Sequence, residues 1–441
     1  MKTKGLLSTI TICLFLILSG CGRPEKGDSE ASSETPNFVI VFIDDMGYGD
    51  LGCYGSETIR TPRVDKMAKE GTRFTDFYVQ PVCGPSRSAL LTGRYPFRSG
   101  GWGMPGSEVT FAELLKTAGY TTGCIGKWDC SSRKDIQGRV PNDQGFDYYW
   151  GPLGANDNGT VYLWDNRDSI GMDSNMAGLT RSYTDKAITF LEENRDNPFL
   201  LYLAHTMVHV VVDASPEFKG KSMNGLYGDA VEELDFHTGR LLDKIDELGL
   251  RENTMVIFTS DNGPWSNDQE KQRRKNSGAL AWGSAGPLRE AKGSTWEGGM
   301  RVPCIIRWPD YVPADRTNQA IFSSVDFLPT FATLAGYQVP SDRIIDGVDQ
   351  TDLLLGVKEK GNRDHLYYFS DDNLHGVRKG KWKLLLPNRT GYRRYVNDLG
   401  TDGIELYNLE TDIGETTNIA EEHPEIVAQL LTLTEQLASN H

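Results

Sequence analysis

The sequence predicts an α/β fold in which a large mixed sheet is flanked by helices, with a small C-terminal α+β subdomain that holds a short antiparallel sheet. From Asn37 onward, short apolar runs alternate with amphipathic stretches, which is typical of helices packed on both faces of a sheet. The run from Phe38 to Ile43 is apolar throughout, as expected for a central strand that is buried on both faces. After about Gly356 the chain changes to short strands with tight turns, which indicates the separate antiparallel sheet.

The helices of the larger region are delimited by caps and helix breakers. Thr61 and Pro62 supply an N-cap and a first-turn proline, and Gly71 ends the helix that they begin. Gly119 ends a second helix, and Gly249 ends a long one whose apolar side chains recur on one face. These and the remaining elements are helices at 110–118, 183–194 and 226–248, and strands at 121–126, 199–204 and 254–259.

The C-terminal part is predicted as strands at 366–369, 376–386 and 404–409, followed by an amphipathic helix at 424–437. No internal repeat is found along the sequence. We therefore expect a large domain at 37–356 and a small subdomain at 357–441.

The first 21 residues have the pattern of a secretory signal peptide. Lys2 and Lys4 precede an apolar run at 14–18 that is too short to cross a bilayer. The run ends in Leu-Ser-Gly-Cys21, which resembles a bacterial lipobox, whose cysteine carries lipid; a plain signal peptide with a chance cysteine is the alternative. Residues 22–36 are rich in Ser, Glu, Lys and Gly and are expected to form a flexible tether. We expect an exported bacterial lipoprotein, periplasmic or attached to the outer membrane, that meets the membrane only through this N-terminal lipid anchor.

The acidic composition excludes two classes of partner. The 441 residues include 46 Lys and Arg against 61 Asp and Glu, a net charge of −15 at pH 7. Nucleic acids and anionic membrane surfaces are bound through Lys and Arg that neutralise phosphates, so neither is an expected general partner. An anionic substrate must then be met by a local cluster of basic residues.

Four of the predicted strands run directly into polar side chains. In open α/β sheets the ligand lies beyond the carboxyl ends of the strands, so side chains that follow different strands converge on one crevice. A single Asp or Asn after a strand is an ordinary turn residue, and the prediction rests on the four occurring together. The residues are Asp44 and Asp45 after 38–43, Lys127 and Asp129 after 121–126, His205 and His209 after 199–204, and Asp261 and Asn262 after 254–259.

Asp44 and Asp45 favour a bound cation, because adjacent carboxylates repel each other unless a cation neutralises them. Asp261 and Asn262 would complete a set of oxygen ligands. Such a set suits Ca²⁺ or Mg²⁺, whereas zinc normally recruits His or Cys. The sequence therefore predicts a calcium site, with magnesium as the less favoured alternative.

Cys83 lies in the most distinctive stretch, Cys83-Gly-Pro-Ser-Arg87, which is followed by Leu-Thr-Gly-Arg94. Pro85 suits the first turn of a helix and Gly93 its end, which places Cys83 just ahead of a helix N-terminus, where backbone N–H groups favour negative charge. A cysteine there is an activated thiolate, the precursor of another nucleophile, or inert packing. Outside the leader the chain has five cysteines, an odd number, so at least one is unpaired.

This stretch resembles the signature of type I sulfatases, in which a maturation enzyme oxidises the cysteine to formylglycine (3-oxoalanine). The resemblance covers nearly everything from Asn37 to the last helix and implies an alkaline-phosphatase-like fold. It is closest to bacterial carbohydrate sulfatases and to galactose- or N-acetylgalactosamine-6-sulfatases, and it implies a sulfated oligo- or polysaccharide as substrate. Further matching blocks, in the order of the family, are at 44–50, 126–128, 260–263, 292–303 and 406–412.

The family's mechanism implies a role for each matched residue. In that family the hydrated aldehyde attacks sulfur and expels the alcohol, and the aldehyde is re-formed as sulfate leaves. A calcium ion polarises the sulfate, and two lysines clamp its oxygens. The resemblance implies Cys83 as the precursor of the nucleophile, Asp44, Asp45, Asp261, Asn262 and the modified Cys83 as calcium ligands, Arg87 as the residue that holds the nucleophile, and Lys127 and Lys292 as the sulfate clamp.

Two positions depart from the family pattern. Where the family often has Pro-His-x-Pro, this chain has Val-His209-Val-Val; His209 is favoured over His205 as general acid, because residues 214–218 resemble the segment after the family histidine. Asp129 replaces the histidine that usually comes after Gly-Lys-Trp and can take the proton of the nucleophile. A carboxylate is the weaker base near neutral pH, so we expect slower turnover or an altered sulfate site.

Three segments are candidates for contacts with the rest of the substrate. Arg273 and Arg274 belong to a charged run at 270–275, which is either at the crevice rim or a solvated loop. Asn156 either hydrogen-bonds sugar hydroxyls or belongs to a turn. The aromatic and basic residues at 391–395 suit a sulfated sugar.

The sequence thus predicts a calcium-dependent sulfatase that acts on a sulfated carbohydrate. Phosphoester or phosphonate hydrolysis on the same fold is a rival activity; zinc phosphatases of this kind need several His ligands, and the four metal positions of this chain hold none. The rival outside catalysis is a sulfated-glycan-binding lipoprotein that has lost turnover, which Asp129 keeps open.

Overall fold

Three β-sheets organise the part of the chain that this computed structural model describes, which is residue 1 and residues 35–130, 140–265, 282–392 and 395–439. The predicted signal segment with Cys21, most of the tether, and Arg273 and Arg274 lie outside these residues. The strands are β1 (Asn37–Ile43), β2 (Thr72–Phe74), β3 (Phe77–Tyr78), β4 (Thr121–Gly126), β5 (Tyr148–Pro152), β6 (Val161–Asp165), β7 (Asp168–Asp173), β8 (Phe199–Ala204), β9 (Thr254–Ser260), β10 (Cys304–Arg307), β11 (Arg316–Asn318), β12 (Phe322–Ser323), β13 (His365–Ser370), β14 (Asn373–Lys379), β15 (Trp382–Leu385) and β16 (Glu405–Asn408).

The helices that cover the sheets begin and end close to the predicted positions. Among the helices of the described residues, none has both the length and the apolar composition that a bilayer crossing requires. They are α1 (Pro62–Lys69), α2 (Cys83–Thr92), α3 (Pro96–Ser99), α4 (Phe111–Thr117), α5 (Leu179–Asn194), α6 (Gly225–Glu247), α7 (Glu297–Met300), α8 (Phe327–Leu334), α9 (Thr351–Leu354) and α10 (Pro424–Ser439).

The largest sheet has ten strands in the order β11-β2-β10-β9-β1-β8-β4-β5-β6-β7 and is mixed, as predicted. Strands β9, β1, β8, β4 and β5 run parallel to one another. Strand β10 is antiparallel to β9 and β2. On the other side of the sheet, β6 pairs with β5 and β7 pairs with β6, both in antiparallel orientation. The order β9-β1-β8-β4 places the four strands that precede the predicted site side by side.

Strand β1 is buried on both faces, which explains its uninterrupted apolar sequence. Successive side chains of a strand point to opposite faces, so the apolar residues divide between two cores. One core contains α1, α5 and α6, and the other contains α4 and α8. Val39, Val41 and Ile43 belong to the first core, and Phe38, Ile40 and Phe42 belong to the second.

The C-terminal sheet is antiparallel in the order β13-β14-β15-β16, with α10 packed on β14 and β15. The expectation of a single strand at 376–386 is wrong. Gly380 adopts a left-handed backbone conformation with φ of 56°, which a glycine tolerates well. The chain therefore reverses there and forms the hairpin of β14 and β15.

A buried ion cluster joins this sheet to the segment that follows Lys292. Lys383 on β15 pairs with Glu297 of α7 at 3.0 Å and with Glu415 at 2.7 Å, and all three side chains are inaccessible to solvent. The ammonium of Lys383 also lies 4.1 Å from the ring centre of Tyr368. Because a buried charge without its partner is costly, the cluster fixes α7 against the C-terminal sheet.

Candidate functional site

The side chains that follow β9, β1, β8 and β4 meet at one edge of the large sheet, because these strands are adjacent and parallel. Backbone pairing continues past the strand ends: the N–H of Lys127 donates to the carbonyl of Ala204 (2.8 Å), and the N–H of Asp261 donates to that of Ile43 (3.0 Å). The site residues are therefore fixed by the sheet itself. Those that lie buried at this edge are Asp44, Asp45, Lys127, Asp129, His209, Asp261 and Asn262.

Gly126 makes the turn that delivers Lys127 from the end of β4. Its φ is 104°, and a Cβ at this position would lie 1.9 Å from the carbonyl oxygen of Ala204. No other residue fits there without displacing β8. The Gly-Lys-Trp block therefore needs glycine for its backbone geometry as well as lysine for its charge.

Cys83 opens α2 and is almost fully buried. The sequence placed it just ahead of the helix; the helix instead begins at Cys83 itself and ends, as predicted, at Gly93, which has φ of 67°. Burial raises the pKa of the Cys83 thiol to about 12. An unmodified Cys83 is therefore a protonated thiol and a poor nucleophile near neutral pH, which disfavours the activated thiolate.

The carboxylates of Asp44 and Asp261 converge beside Cys83. The Sγ of Cys83 and the carboxylate oxygens of Asp44 and Asp261 lie within 4.8 Å of one another. Asp44 Oδ1 and Asn262 Oδ1 are buried and, among the described residues, have no hydrogen-bond partner. Burial raises the pKa of Asp44 to about 7, although Lys127 lies against it. Such oxygens are costly to bury alone and fit a hard divalent cation, which would satisfy them.

Asp45 orients two of its neighbours. Its φ of 62° is uncommon for a residue with a side chain and is held by the surrounding contacts. The ammonium of Lys292 donates to both carboxylate oxygens (2.6 and 2.8 Å), and the Nδ2 of Asn262 donates to Oδ1 (2.7 Å). Because the amide nitrogen of Asn262 is turned toward Asp45, its oxygen is left for a different partner.

Buried cations surround these carboxylates. Arg87 on α2 donates to Asp261 Oδ2 (2.8 Å) and to the carbonyl oxygen of Lys127 (2.8 Å). Lys127 donates to Asp44 Oδ2 (2.7 Å) and lies 3.4 Å from Asp129 Oδ2. Burial acts to lower the pKa of Lys127, but Asp44 and other neighbours outweigh it and raise that pKa well above its usual value. Lys127 is therefore a permanent cation.

The site concentrates buried charge of both signs. Among the described residues, three cations lie against four carboxylates, so an anionic ester that enters would meet cations of the protein. The cations are Arg87, Lys127 and Lys292, and the carboxylates are Asp44, Asp45, Asp129 and Asp261.

His209, not His205, faces the carboxylates of the crevice. The Nε2 of His209 lies 3.7 Å from Asp45 Oδ2, and its ring packs edge-on against Trp265 with the ring centres 5.8 Å apart. His205 packs against Tyr183 instead, and burial lowers its pKa to about 3, so it stays neutral. The geometry favours His209 as the imidazole of the site.

Asn156 is not placed to contact a substrate directly. Its side chain is completely buried. The Nδ2 donates to the carbonyl oxygen of Val211 (3.1 Å), and Oδ1 lies 3.0 Å from the Nδ1 of His209. The expectation that Asn156 hydrogen-bonds sugar hydroxyls is therefore wrong, because its amide is enclosed by the protein and already bonded there. Arg273 and Arg274, the other predicted rim contacts, lie outside the described residues.

Aromatic rings border the site, and the sequence pattern indicated only some of them. The ammonium of Lys292 lies 4.8 Å from the ring centre of Trp265 and 5.5 Å from that of Tyr395, and these two rings pack edge to face. Tyr392 packs edge-on against Trp102. The tyrosines carried a sequence signal because they flank two arginines. The tryptophans carried none, since neither lies in a block that matches the family signature.

Comparisons with known proteins agree on one family. The family described as sulfatase matches residues 36–337, and the family described as the C-terminal region of N-sulphoglucosamine sulphohydrolase matches residues 291–440. The N-acetylgalactosamine-6-O-sulfatase of Bacteroides thetaiotaomicron is 32% identical, over 96% of this chain and 96% of its own length. The N-acetylgalactosamine-6-sulfatase of Mus musculus is 37% identical, over 94% and 82%, and the steryl-sulfatase of Rattus norvegicus is 35% identical, over 78% and 74%.

Solved structures show the same fold. A structure reported for the metabolism of multiple glycosaminoglycans by Bacteroides thetaiotaomicron superposes with a TM-score of 0.82 and 29% identity, over 92% of this chain and 99% of its own. A sulfatase from Pseudoalteromonas sp. gives 0.81 and 28%, over 92% and 90%. The phosphonate monoester hydrolase of Agrobacterium radiobacter gives 0.62 at 17% identity, over 92% and 95%, which shows a shared fold alone. The fold is the alkaline-phosphatase-like one that the resemblance implied.

The cation site makes a direct prediction about stability. Adding Ca²⁺ to protein that a chelator has stripped of metal should raise its melting temperature, because a ligand that binds only the folded state stabilises it by about 2.7 kcal/mol at a hundredfold excess over Kd. Asp44→Asn should abolish most of that rise, since it removes the negative charge of a carboxylate whose Oδ1 has no hydrogen-bond partner among the described residues. Differential scanning calorimetry with and without Ca²⁺ measures both.

Asp372→Asn, which alters an exposed carboxylate of the C-terminal part, is the matched control and should keep the full rise. An equal rise in Asp44→Asn and in the unaltered protein would place the ion elsewhere.

Proposed function

The chain belongs to the sulfatase family, which matches more than half of it, and from this premise we propose that it releases sulfate from a sulfated carbohydrate with the help of calcium and a formylglycine made from Cys83. That it is a sulfuric ester hydrolase follows from the family. The carbohydrate, the ion and the modified residue are the proposal. The observation that carries it is the convergence of Cys83 with Asp44 and Asp261 within 4.8 Å, beside the two buried lysines Lys127 and Lys292.

The residues around Cys83 fit the two proposed groups, the calcium ion and the formylglycine. Orphaned oxygens of Asp44 and Asn262, together with Asp45 and Asp261, supply the hard donors that calcium prefers, and the absence of histidine among these four donors argues against zinc. When bound, calcium draws electron density from a sulfate oxygen, and formylglycine supplies the oxygen nucleophile. A formylglycine-generating maturation enzyme is then a required partner.

The chain's own cations bind and orient the sulfate. Lys127 and Lys292 are buried ammonium groups at the same edge of the sheet, and each can move from a carboxylate to a sulfate oxygen that enters the crevice. Removing one such stabilising donor typically costs about 10² to 10³ in rate. Arg87 is held between Asp261 and the backbone of Lys127, so it keeps the N-terminal turn of α2 in place beneath the nucleophile.

His209 supplies the proton for the leaving group. Its Nε2 faces the crevice near Asp45, and an imidazole exchanges protons near neutral pH. The proton passes to the alcohol oxygen as the sulfur–oxygen bond breaks, which is required when the alcohol is a sugar hydroxyl. Buried walls around the site keep bulk water from competing for this proton.

A galactose-type sugar is the favoured substrate. Two relatives that align with 96% and 94% of this chain are named N-acetylgalactosamine-6-O-sulfatase and N-acetylgalactosamine-6-sulfatase. The steryl-sulfatases are as similar in identity but align with less of the chain. Phosphoester hydrolysis of the zinc-phosphatase kind is disfavoured because Asp44, Asp45, Asp261 and Asn262 include no histidine.

We also propose that the protein is exported and held at a membrane by lipid on Cys21. The support is the short apolar run before Leu-Ser-Gly-Cys21 and the polar segment that comes after it. Such a tether would keep the crevice in reach of polysaccharides outside the cytoplasm.

Maturation of Cys83 is the first test of the function. Protein made in a host that has the maturation enzyme should yield a tryptic peptide, residues 74–87, whose mass corresponds to an aldehyde in place of the thiol. The same preparation should release sulfate from galactose-6-sulfate or N-acetylgalactosamine-6-sulfate substrates, and Cys83→Ala should reduce release to the uncatalysed level because no nucleophile remains. Mass spectrometry and ion chromatography of sulfate are the measurements.

Cys124→Ala is the matched control, because it removes another buried free thiol, within the core, and should leave activity in place. An unmodified thiol at Cys83 together with tight binding of a sulfated glycan would instead favour the binding-only lipoprotein. Faster hydrolysis of phosphate esters, or of a steryl sulfate, than of every sulfated sugar would refute the proposed substrate class.

Asp129 is expected to limit the rate. It stands where the family usually has histidine, and it lies 3.4 Å from the ammonium of Lys127. Asp129→His should keep or raise the kcat for sulfate release, because an imidazole is the better base near neutral pH. Steady-state kinetics with one sulfated sugar provide the measurement.

Asp129→Asn serves as the control, since it removes the carboxylate without adding a base. If Asp129→His lost activity as completely as Asp129→Asn, the carboxylate would have a role of its own that histidine cannot fill.

A further inference from the structure

Asn156 contacts the imidazole of His209 at Nδ1, the ring nitrogen that does not face Asp45. It lies in the loop that follows β5, its side chain is completely buried, and its Oδ1 is 3.0 Å from the Nδ1 of His209. The Nδ2 of the same amide faces two carbonyl oxygens, that of Val211 at 3.1 Å and that of His209 itself at 3.4 Å. The amide therefore spans the turn after β8 and holds both its backbone and its ring.

These contacts determine which ring nitrogen of His209 carries hydrogen. An amide nitrogen can only donate, so the two carbonyl oxygens fix Nδ2 on their side and Oδ1 on the side of the ring. The Nδ1 then faces two acceptors, Oδ1 of Asn156 and the carbonyl oxygen of Val210. Nδ1 must donate to them. A proton on Nε2, the nitrogen that faces Asp45, is then the one that the ring can transfer while Nδ1 keeps its hydrogen.

We propose that Asn156 is the positioning residue of the sulfatase reaction, which sets the tautomer and the orientation of His209 so that Nε2 points at the leaving-group oxygen. This inference rests on the proposed role of His209 as proton donor. Asn156 does not touch substrate, because it is enclosed by protein. It acts in the way that a hydrogen-bonded partner orients a histidine through the nitrogen that does not react.

The step that depends on this orientation is a single proton transfer. His209 begins the step as an imidazolium, with hydrogen on both ring nitrogens. As the bond between sulfur and the sugar oxygen breaks, its electron pair stays on the oxygen, and the oxygen takes the proton from Nε2. The His209 ring is left neutral, with its remaining hydrogen on Nδ1 and bonded to Asn156. A ring that has rotated away from this geometry cannot complete the transfer.

A positioning role and a purely structural role can be told apart with two substrates, of which only one needs a proton on its leaving group. A sugar alkoxide is a poor leaving group and needs the proton, whereas nitrophenolate leaves without it. Asn156→Ala should therefore lower kcat/KM for a galactose-6-sulfate substrate by about 10- to 100-fold while changing that for 4-nitrophenyl sulfate by less than about threefold. General loosening of the site would slow both substrates alike.

Asn37→Ala is the matched control. Asn37 is also a buried asparagine with side-chain hydrogen bonds, but it lies at the amino end of β1, whereas the site lies beyond the carboxyl end of that strand. Asn37→Ala should change kcat/KM by the same factor for both substrates. The double variant Asn156→Ala with His209→Ala should be no slower on the sugar substrate than His209→Ala alone, because the two residues act through one proton.

Failure of the inference and failure of the proposed function give different results. If His209→Ala slows both substrates equally, the proton-donor role assigned to His209 is wrong. If His209→Ala discriminates between the substrates and a folded Asn156→Ala does not, Asn156 has no positioning role. Long-range ¹H–¹⁵N NMR of the unaltered protein needs no variant: hydrogen on Nδ1 of neutral His209 supports the inference, and hydrogen on Nε2 with a bare Nδ1 overturns it.

Discussion

Among the residues that the structure describes, four carboxylates are buried against three cations, and this crowding of buried charge is the constraint on which the rest of the protein depends. Burial of charge is tolerated only when partners are arranged in good geometry, and here the arrangement leaves one oxygen of Asp44 and one of Asn262 without a hydrogen-bond partner among the described residues. The divalent cation that we propose would satisfy these oxygens. The same buried residues would then hold both the ion and the sulfate.

The fold meets this constraint by bringing distant segments to one edge of a rigid sheet. Adjacent parallel strands supply the acids, Lys127 and His209, while α2 supplies Cys83 and Arg87. Lys292 comes from elsewhere, on a segment that α7 and the buried Lys383 cluster attach to the C-terminal sheet. The C-terminal sheet therefore helps to position the site, because it holds in place the backbone that carries Lys292.

Features of the fold and the site could be predicted from sequence where neighbouring residues form a recognisable pattern, and could not where the contact joins residues remote in sequence. The strands before Asp44, Lys127, His205 and Asp261 were predictable, because a buried strand is an apolar run and its end is marked by polar residues. Hairpin β6–β7 was missed because β7 lies largely exposed at the sheet edge and has no apolar pattern. The role of Asn156 was missed for a different reason: its contact with His209 joins two loops that are remote in sequence, and nothing in either loop encodes the pairing.

Anomalous X-ray diffraction from crystals of the mature protein grown with calcium would locate the proposed ion. We expect one ion at the crevice, coordinated by oxygens of Asp44, Asp45, Asp261, Asn262 and the modified residue 83 at about 2.3 to 2.6 Å. Saturating calcium with no ion among these side chains, or an ion bound elsewhere while Cys83 keeps its thiol, would contradict it.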